Sequence, residues 1–286
     1  MLNRRRHRGG LLVLAYHDVP DRGRFEAQLD HLVRHYRPVD LGAVVNAQRG
    51  DGSLPGRAVL VTFDDGHRSV LDAALPALRK REIPAVLFVV TGLIDSEQPY
   101  WWTEVERRSS AGGRAKEFTV RGRTLVSALK KVDDSVRLRV IEDLRESTPS
   151  LPIRVPQLTT AELRTLENSG VAIGSHTVTH PCLHRCSPDK IVTEVGDSYR
   201  HLTDALGHEP LAFAYPNGDH DERVVAAVRD TGYRAAFRFD HKIGPFPAVD
   251  PMLVSRVRVN ADDPLDRFVL AASGVHPAVH RLRGRR

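Results

Sequence analysis

The sequence predicts an α/β fold in which about seven parallel strands form a barrel, closed or slightly broken, with helices outside. Three observations carry that prediction. Short apolar runs of strand length recur along the chain. Segments of helical periodicity separate them, as βα units require. Polar or charged residues follow the ends of several strands, where barrel active sites form. No repeat of fixed period is present.

In order, strands are expected over residues 11–16, 58–63, 85–90, 171–174, 211–214, 235–237 and 253–257. Helices are expected over 24–35, 69–80, 160–169, 188–206, 222–231 and 264–272. Asp and Ser stand at many helix starts, and Gly170, Gly207 and Gly232 stop three of them. One stretch breaks the rhythm. Residues from about 95 to 156 read as a helical insertion after the third strand, with a loop over 109–114 and a charged helical segment over 124–146. It carries Tyr100, Trp101 and Trp102, and so both tryptophans of the protein. These rings either pack the insertion against the barrel or offer a flat apolar wall to sugar rings. Residues 1–286 read as a single catalytic domain bearing this insertion, with basic flexible termini.

Composition is that of an ordinary globular protein, at 41% hydrophobic and 27% charged residues. The net charge of +6 is concentrated at the ends, in Arg4, Arg5, Arg6 and Arg8 and in Arg281, Arg283, Arg285 and Arg286. These read either as solvated tails or as ends attracted to an anionic surface or polymer. Neither interleaved aromatics nor a reader motif accompanies them, so no nucleic-acid role is expected. No apolar run approaches the ~18 residues of a membrane span, so no integral membrane segment is expected. The apolar run over 11–15 is too short for a signal-peptide core, which points to the cytoplasm without excluding export. Cys182 and Cys186 are too few for a disulfide framework and read as small buried thiols.

The chemistry lies at two strand ends. Val59-Leu60-Val61-Thr62-Phe63 runs into Asp64-Asp65-Gly66. Adjacent like charges are costly unless they differ in role or share a cation. One carboxylate can ligate a metal while the other acts as a base. Val171-Ala172-Ile173-Gly174-Ser175 runs into His176, with His180 four positions on. A helical turn there would place both imidazoles on one face. Joined to Asp65, they make a three-ligand set that leaves metal positions open for water and substrate.

Thr62-Phe63-Asp64-Asp65-Gly66, then Ser175-His176-Thr177-Val178-Thr179-His180-Pro181, then Ala214-Tyr215-Pro216-Asn217-Gly218 resemble the successive motifs of the polysaccharide deacetylases, the NodB-homology or carbohydrate esterase 4 group. The resemblance covers residues 11–273 apart from the insertion. It implies a distorted (β/α)7 barrel that removes N- or O-acetyl groups from an N-acetylated carbohydrate. It implies a divalent metal, zinc in the first place, with cobalt or nickel as alternatives. On the family pattern Asp64 is the base, and Asp65, His176 and His180 are the ligands. The residue after the motif proline, here Asn217, gives a backbone N–H to the oxyanion.

Two departures stand out. Ala214 occupies the place of the arginine that orients the base, and Arg256, at the end of a late strand, is the candidate replacement. The Leu-x-His motif that supplies the general acid near the family's C-terminus has no convincing counterpart there, since His276 and His280 lie in the basic tail. Instead Leu14-Ala15-Tyr16-His17 resembles a permuted subgroup typified by poly-N-acetylglucosamine deacetylases, which makes His17 the candidate acid. His67, His184 and His220 receive no role. Two other readings stay open: a deacylase or amidohydrolase of a small amide on the same fold, and a non-catalytic carbohydrate-binding relative.

Overall fold

The computed structural model describes residues 10–274; the basic ends, with His276 and His280, lie outside the described residues. The strands are β1 (Leu12–Tyr16), β2 (Arg37–Pro38), β3 (Ala58–Phe63), β4 (Ala85–Val89), β5 (Val171–Ser175), β6 (Ala212–Ala214), β7 (Ala235–Phe237) and β8 (Val257–Arg258). They run parallel in the order β7-β6-β5-β4-β3-β1-β8, with β2 beside β3.

The late chain joins the two ends of this sheet. Val257 pairs with Leu14 of β1, and Val254 bridges Phe237 of β7. The Val254 N–H donates to the Ala236 carbonyl at 2.9 Å, and its carbonyl accepts from the Arg238 N–H at 2.9 Å. Residues 254–258 therefore bond to both neighbours, and the sheet closes as a distorted (β/α)7 barrel. This corrects the expectation of one continuous strand over 253–257. Pro251–Leu253 is a 3-10 turn whose Met252 N–H is held by Asp250, and the segment leaves β7 before it reaches β1.

Alternation along the strands sorts two clusters. Leu12, Leu14, Tyr16, Val59, Val61 and Phe63 pack outward with Phe25, Leu29 and Leu32 of the helix Arg22–His35. Val13, Leu60, Val86, Phe88, Ala212, Ala214 and Phe237 fill the interior. The side-chain period of two makes each strand serve both. Gly174 has a packing reason: a Cβ there would lie 2.7 Å from the Phe88 ring and 2.9 Å from the Ala212 carbonyl.

Most helices stand where periodicity placed them: Thr160–Glu167, Pro188–Leu206, Glu222–Thr231 and Leu265–Ala272. Two differ. The stretch over 69–80 is a π-helical turn, Val70–Ala74, followed by an α-helix, Leu75–Arg79, and Pro76, which has no N–H to donate, sits at the junction. The helix Leu41–Arg49 and the short strand β2 were not anticipated. The insertion follows β4 and contains the helices Trp101–Ser110, Gly122–Leu129 and Asp134–Ser147. The expected charged segment is thus two helices, broken after Leu129. They share their own core of Trp101, Val105, Leu125, Leu129, Val140, Ile141 and Leu144. Among the described residues no helix is long and apolar enough to cross a membrane.

Candidate active site

The strand ends bring the predicted residues together. Asp64 and Asp65 follow β3, His176 follows β5, Asn217 follows β6, His17 follows β1, and Arg256 immediately precedes β8. The Asp64 N–H still donates to the Tyr16 carbonyl at 2.9 Å, so the first aspartate is held by the sheet. Asp65 then adopts a left-handed conformation with φ 72°. That reversal separates the neighbouring carboxylates into two environments, at a backbone cost typical of functional sites.

Asp65 turns toward the histidines. Its Oδ1 lies 3.5 Å from His176 Nε2 and 3.4 Å from His180 Nε2. One ligand atom from each residue falls within 4.8 Å of the others. His176 Nδ1 bonds the Ala214 carbonyl at 2.7 Å, which fixes its proton there and turns Nε2 to the centre. Burial pushes both imidazoles below the ordinary histidine value, His180 further because His176 and Lys130 add positive charge. Neutral imidazoles are what ligation requires. The fit to a cation has a direct sign: Asp65 Oδ1 is buried and has no hydrogen-bond partner among the described residues. A carboxylate and two imidazoles are the donor set of a three-ligand zinc site with an open position.

The expected helical turn between His176 and His180 is absent. Thr177 and His180 have φ of 69° and 56°, and the segment is an irregular loop. Its hydrogen bonds go to the buried Glu194, which accepts from the Val178 and Thr179 N–H groups at 2.8 Å each and from the Thr179 hydroxyl at 2.6 Å. Thr177 Oγ1 accepts from the His180 N–H at 2.9 Å. The two ligands converge because the loop winds on a carboxylate, a role for Glu194 that the sequence reading missed. Its only signal was an acidic residue on the otherwise buried face of the helix Pro188–Leu206.

Asp64 faces the other way. Arg256 grips it with two bonds, Nη1 to Oδ1 at 2.6 Å and Nη2 to Oδ2 at 2.8 Å, and Nη1 also donates to Thr62 Oγ1 at 3.2 Å. Both residues are buried, Arg256 completely. The guanidinium carbon sits 5.4 Å from the Phe88 ring centre and 5.5 Å from that of Phe239. Burial raises the Asp64 carboxyl, but the charges of Arg256, His176 and His17 outweigh it and hold the group below its ordinary value. Asp64 is therefore an ionised, oriented carboxylate outside the ligand set. His17 is half-buried, its ring edge-on to Phe239 with centroids 6.0 Å apart.

Asn217 lies in the turn Pro216–Gly218 with φ 57° and ψ 3°. Gly218 beside it is obligatory, since a Cβ would lie 2.4 Å from Phe239 Cβ at a φ of 78°. The Asn217 side chain accepts from Lys130 Nζ of the insertion at 2.6 Å and donates to Cys182 Sγ at 3.5 Å.

The insertion reaches the ligands as well. Trp101 Nε1 donates to the His180 carbonyl at 3.0 Å, and Arg137 stacks on the Trp101 ring at 5.0 Å. Trp102 lies parallel to Tyr100, with centroids 4.8 Å apart, and edge-on to His180 at 4.6 Å. The two readings of the tryptophans therefore divide: Trp101 is core, and half-buried Trp102 is a wall beside the ligands. Cys182 and Cys186 are buried thiols, pushed up to about 11 and about 12 by burial. His67 Nδ1 bonds Ser69 Oγ at 2.8 Å, and His220 Nδ1 bonds the Gly218 carbonyl at 2.9 Å.

Known proteins resemble the chain in sequence and in fold. Over 99 residues the chain is 30% identical to the poly-β-1,6-N-acetyl-D-glucosamine N-deacetylase of Escherichia coli K12, a match covering 30% of this chain and 15% of that protein. The chain thus aligns with only a small part of that curated relative. Among solved structures it is similar to IcaB from Ammonifex degensii, with a TM-score of 0.65 and 22% identity over 93% of this chain and 96% of that one. It is also similar to the Streptococcus pyogenes deacetylase PplD, with a TM-score of 0.63 and 18% identity over 92% and 97% of the two chains. At these identities the structures speak for the fold alone. The family model for polysaccharide deacetylase matches residues 51–236, a span that includes Asp64, Asp65, His176, His180 and Asn217. With that span matched, the chain belongs to the polysaccharide deacetylase family.

Proposed function

We propose that the protein removes acetyl groups, N-linked in the first place, from a carbohydrate polymer, in a metal-dependent hydrolysis. The observation that carries this reading is the division of the two aspartates. Asp65 joins two neutral imidazoles, while Asp64 is kept apart by a bidentate arginine. The N-acetylglucosamine polymer named for the Escherichia coli relative makes such a polymer the first substrate to try.

Asp65, His176 and His180 would hold the ion, and the mixed nitrogen and oxygen set suits zinc. When bound, a divalent ion supplies Lewis acidity to the acetyl carbonyl and acidifies water. The chain's own groups do the rest. Asp64 takes a proton from the attacking water, and Arg256 keeps its lone pairs aimed and its charge in place. The Asn217 N–H donates to the oxygen that becomes negative. His17, in its protonated form, gives a proton to the leaving nitrogen, so that a free amine and acetate result. Half-buried Trp102, backed by the buried Tyr100 ring, offers an apolar wall beside His180.

The test is acetate release from N-acetylglucosamine oligomers, peptidoglycan fragments and simple N-acyl compounds, with and without chelator. Release from oligomers that chelator abolishes is expected. Turnover of simple amides alone would replace the polymer reading with a small-molecule one. No acetate from any of them would overturn it.

A further inference from the structure

We propose that Lys130, on the insertion, is a positioning residue that holds the Asn217 turn for the developing oxyanion; this rests on the deacetylase reading above. Lys130 caps the helix Gly122–Leu129, at the point where the insertion's chain breaks before the helix Asp134–Ser147. From there its Nζ donates to Asn217 Oδ1 at 2.6 Å across 87 positions of sequence. The other end of the same amide donates to Cys182 Sγ, so both ends are held and the side chain cannot flip without losing a partner.

The turn needs such a hold. Asn217 is left-handed at φ 57°, and Gly218 after it is left-handed at φ 78°. A non-glycine residue in that region is strained and persists where its surroundings hold it. The barrel supplies part of that constraint through the Gly218 N–H to the Tyr215 carbonyl at 2.8 Å and through Phe239 packed against Gly218. The side chain of Asn217, whose backbone would meet the oxyanion, is fixed from outside the barrel. Asn217 is thus not interchangeable with any other residue that has an N–H. The side chain ties a donor at the end of β6 to the insertion after β4, and the insertion becomes part of the catalytic geometry.

Hydrogen exchange and kinetics test this together. In Lys130→Met, amides over 215–219 should exchange at least about 10-fold faster while amides over 134–147 stay unchanged, and Lys130→Arg should restore protection. With oligomer substrate, Lys130→Met should lower kcat by about 10-fold to 100-fold, as a misplaced group does, with little change in KM. In an Asn217→Ala background the same change should alter kcat by less than about 2-fold, because the two act as one unit. Unchanged exchange at 215–219, or a full and additive kcat loss in the Asn217→Ala background, overturns the role of Lys130. A wild-type protein that releases no acetate overturns the deacetylase reading instead, while exchange still decides whether Lys130 holds the turn.

Discussion

The barrel and the insertion hold the same site by different physics. The barrel's side is a buried ion pair: Asp64 after β3 and Arg256 before β8 lie on either side of β1 and satisfy each other with two short bonds. The insertion's side is aromatic packing plus a few outward-reaching polar contacts, from Trp101 to the His180 carbonyl, from Tyr100 to the Asp65 carbonyl at 3.4 Å and from Lys130 to Asn217. The barrel therefore sets charge and orientation. The insertion braces the loops that carry Asp65, His180 and Asn217. A buried pair cannot lose one partner cheaply, whereas a brace can be loosened contact by contact.

The sharpest break in that contrast comes from the barrel side. Asp64→Asn should lower kcat by about 10²–10⁴-fold, the range of a general base, while metal content by elemental analysis stays that of the wild type. Loss of metal in that variant would move Asp64 into the ligand set. Arg256→Met should cost about 3–5 kcal/mol in denaturant unfolding, because it strands a buried carboxylate. A loss under 1 kcal/mol would show the pair to be as replaceable as a surface one.

On the insertion side, Trp101→Phe keeps a smaller aromatic ring and removes the hydrogen bond to the His180 carbonyl. It should cost about 0.5–1.5 kcal/mol of stability and weaken metal uptake modestly, read by titration. A loss as large as that of Arg256→Met would abolish the distinction drawn here.

Acidity offers the mildest probe. The folded protein keeps His176 and His180 below the ordinary histidine value of about 6.5, so as pH falls through that value the unfolded chain takes up protons that the native one refuses. Metal-free protein should lose melting temperature between pH 7 and pH 5, and the slope should be shallower in His176→Gln. Asp64 adds to the decline only at lower pH, where the unfolded chain's carboxyl takes up a proton while the folded, Arg256-paired one stays ionised. Equal slopes for the two proteins would mean that the imidazoles are not the source.

Much of this was open to reading from the chain. Strand ends carrying Asp64-Asp65 and His176 were visible because short continuous apolar runs stop at polar residues. Arg256 was visible only as an arginine beside a late strand, after Ala214 had left its usual place empty. The helical turn between His176 and His180 was misjudged because spacing of four does not distinguish a helix from a loop wound on Glu194. Lys130 carried no signal, since a lysine at a helix end is commonly solvated.

Local pattern determined the strands, most of the helices and the kinds of side chain at their ends, since periodicity and capping act over a few residues. Only the tertiary structure decided that residues 254–258 close the barrel, that Arg256 meets Asp64 across 192 positions, and that the insertion turns back onto Asn217. Those contacts depend on how the sheet closes and where a separate helical core comes to rest, and long-range packing of that kind leaves no periodic trace in the sequence.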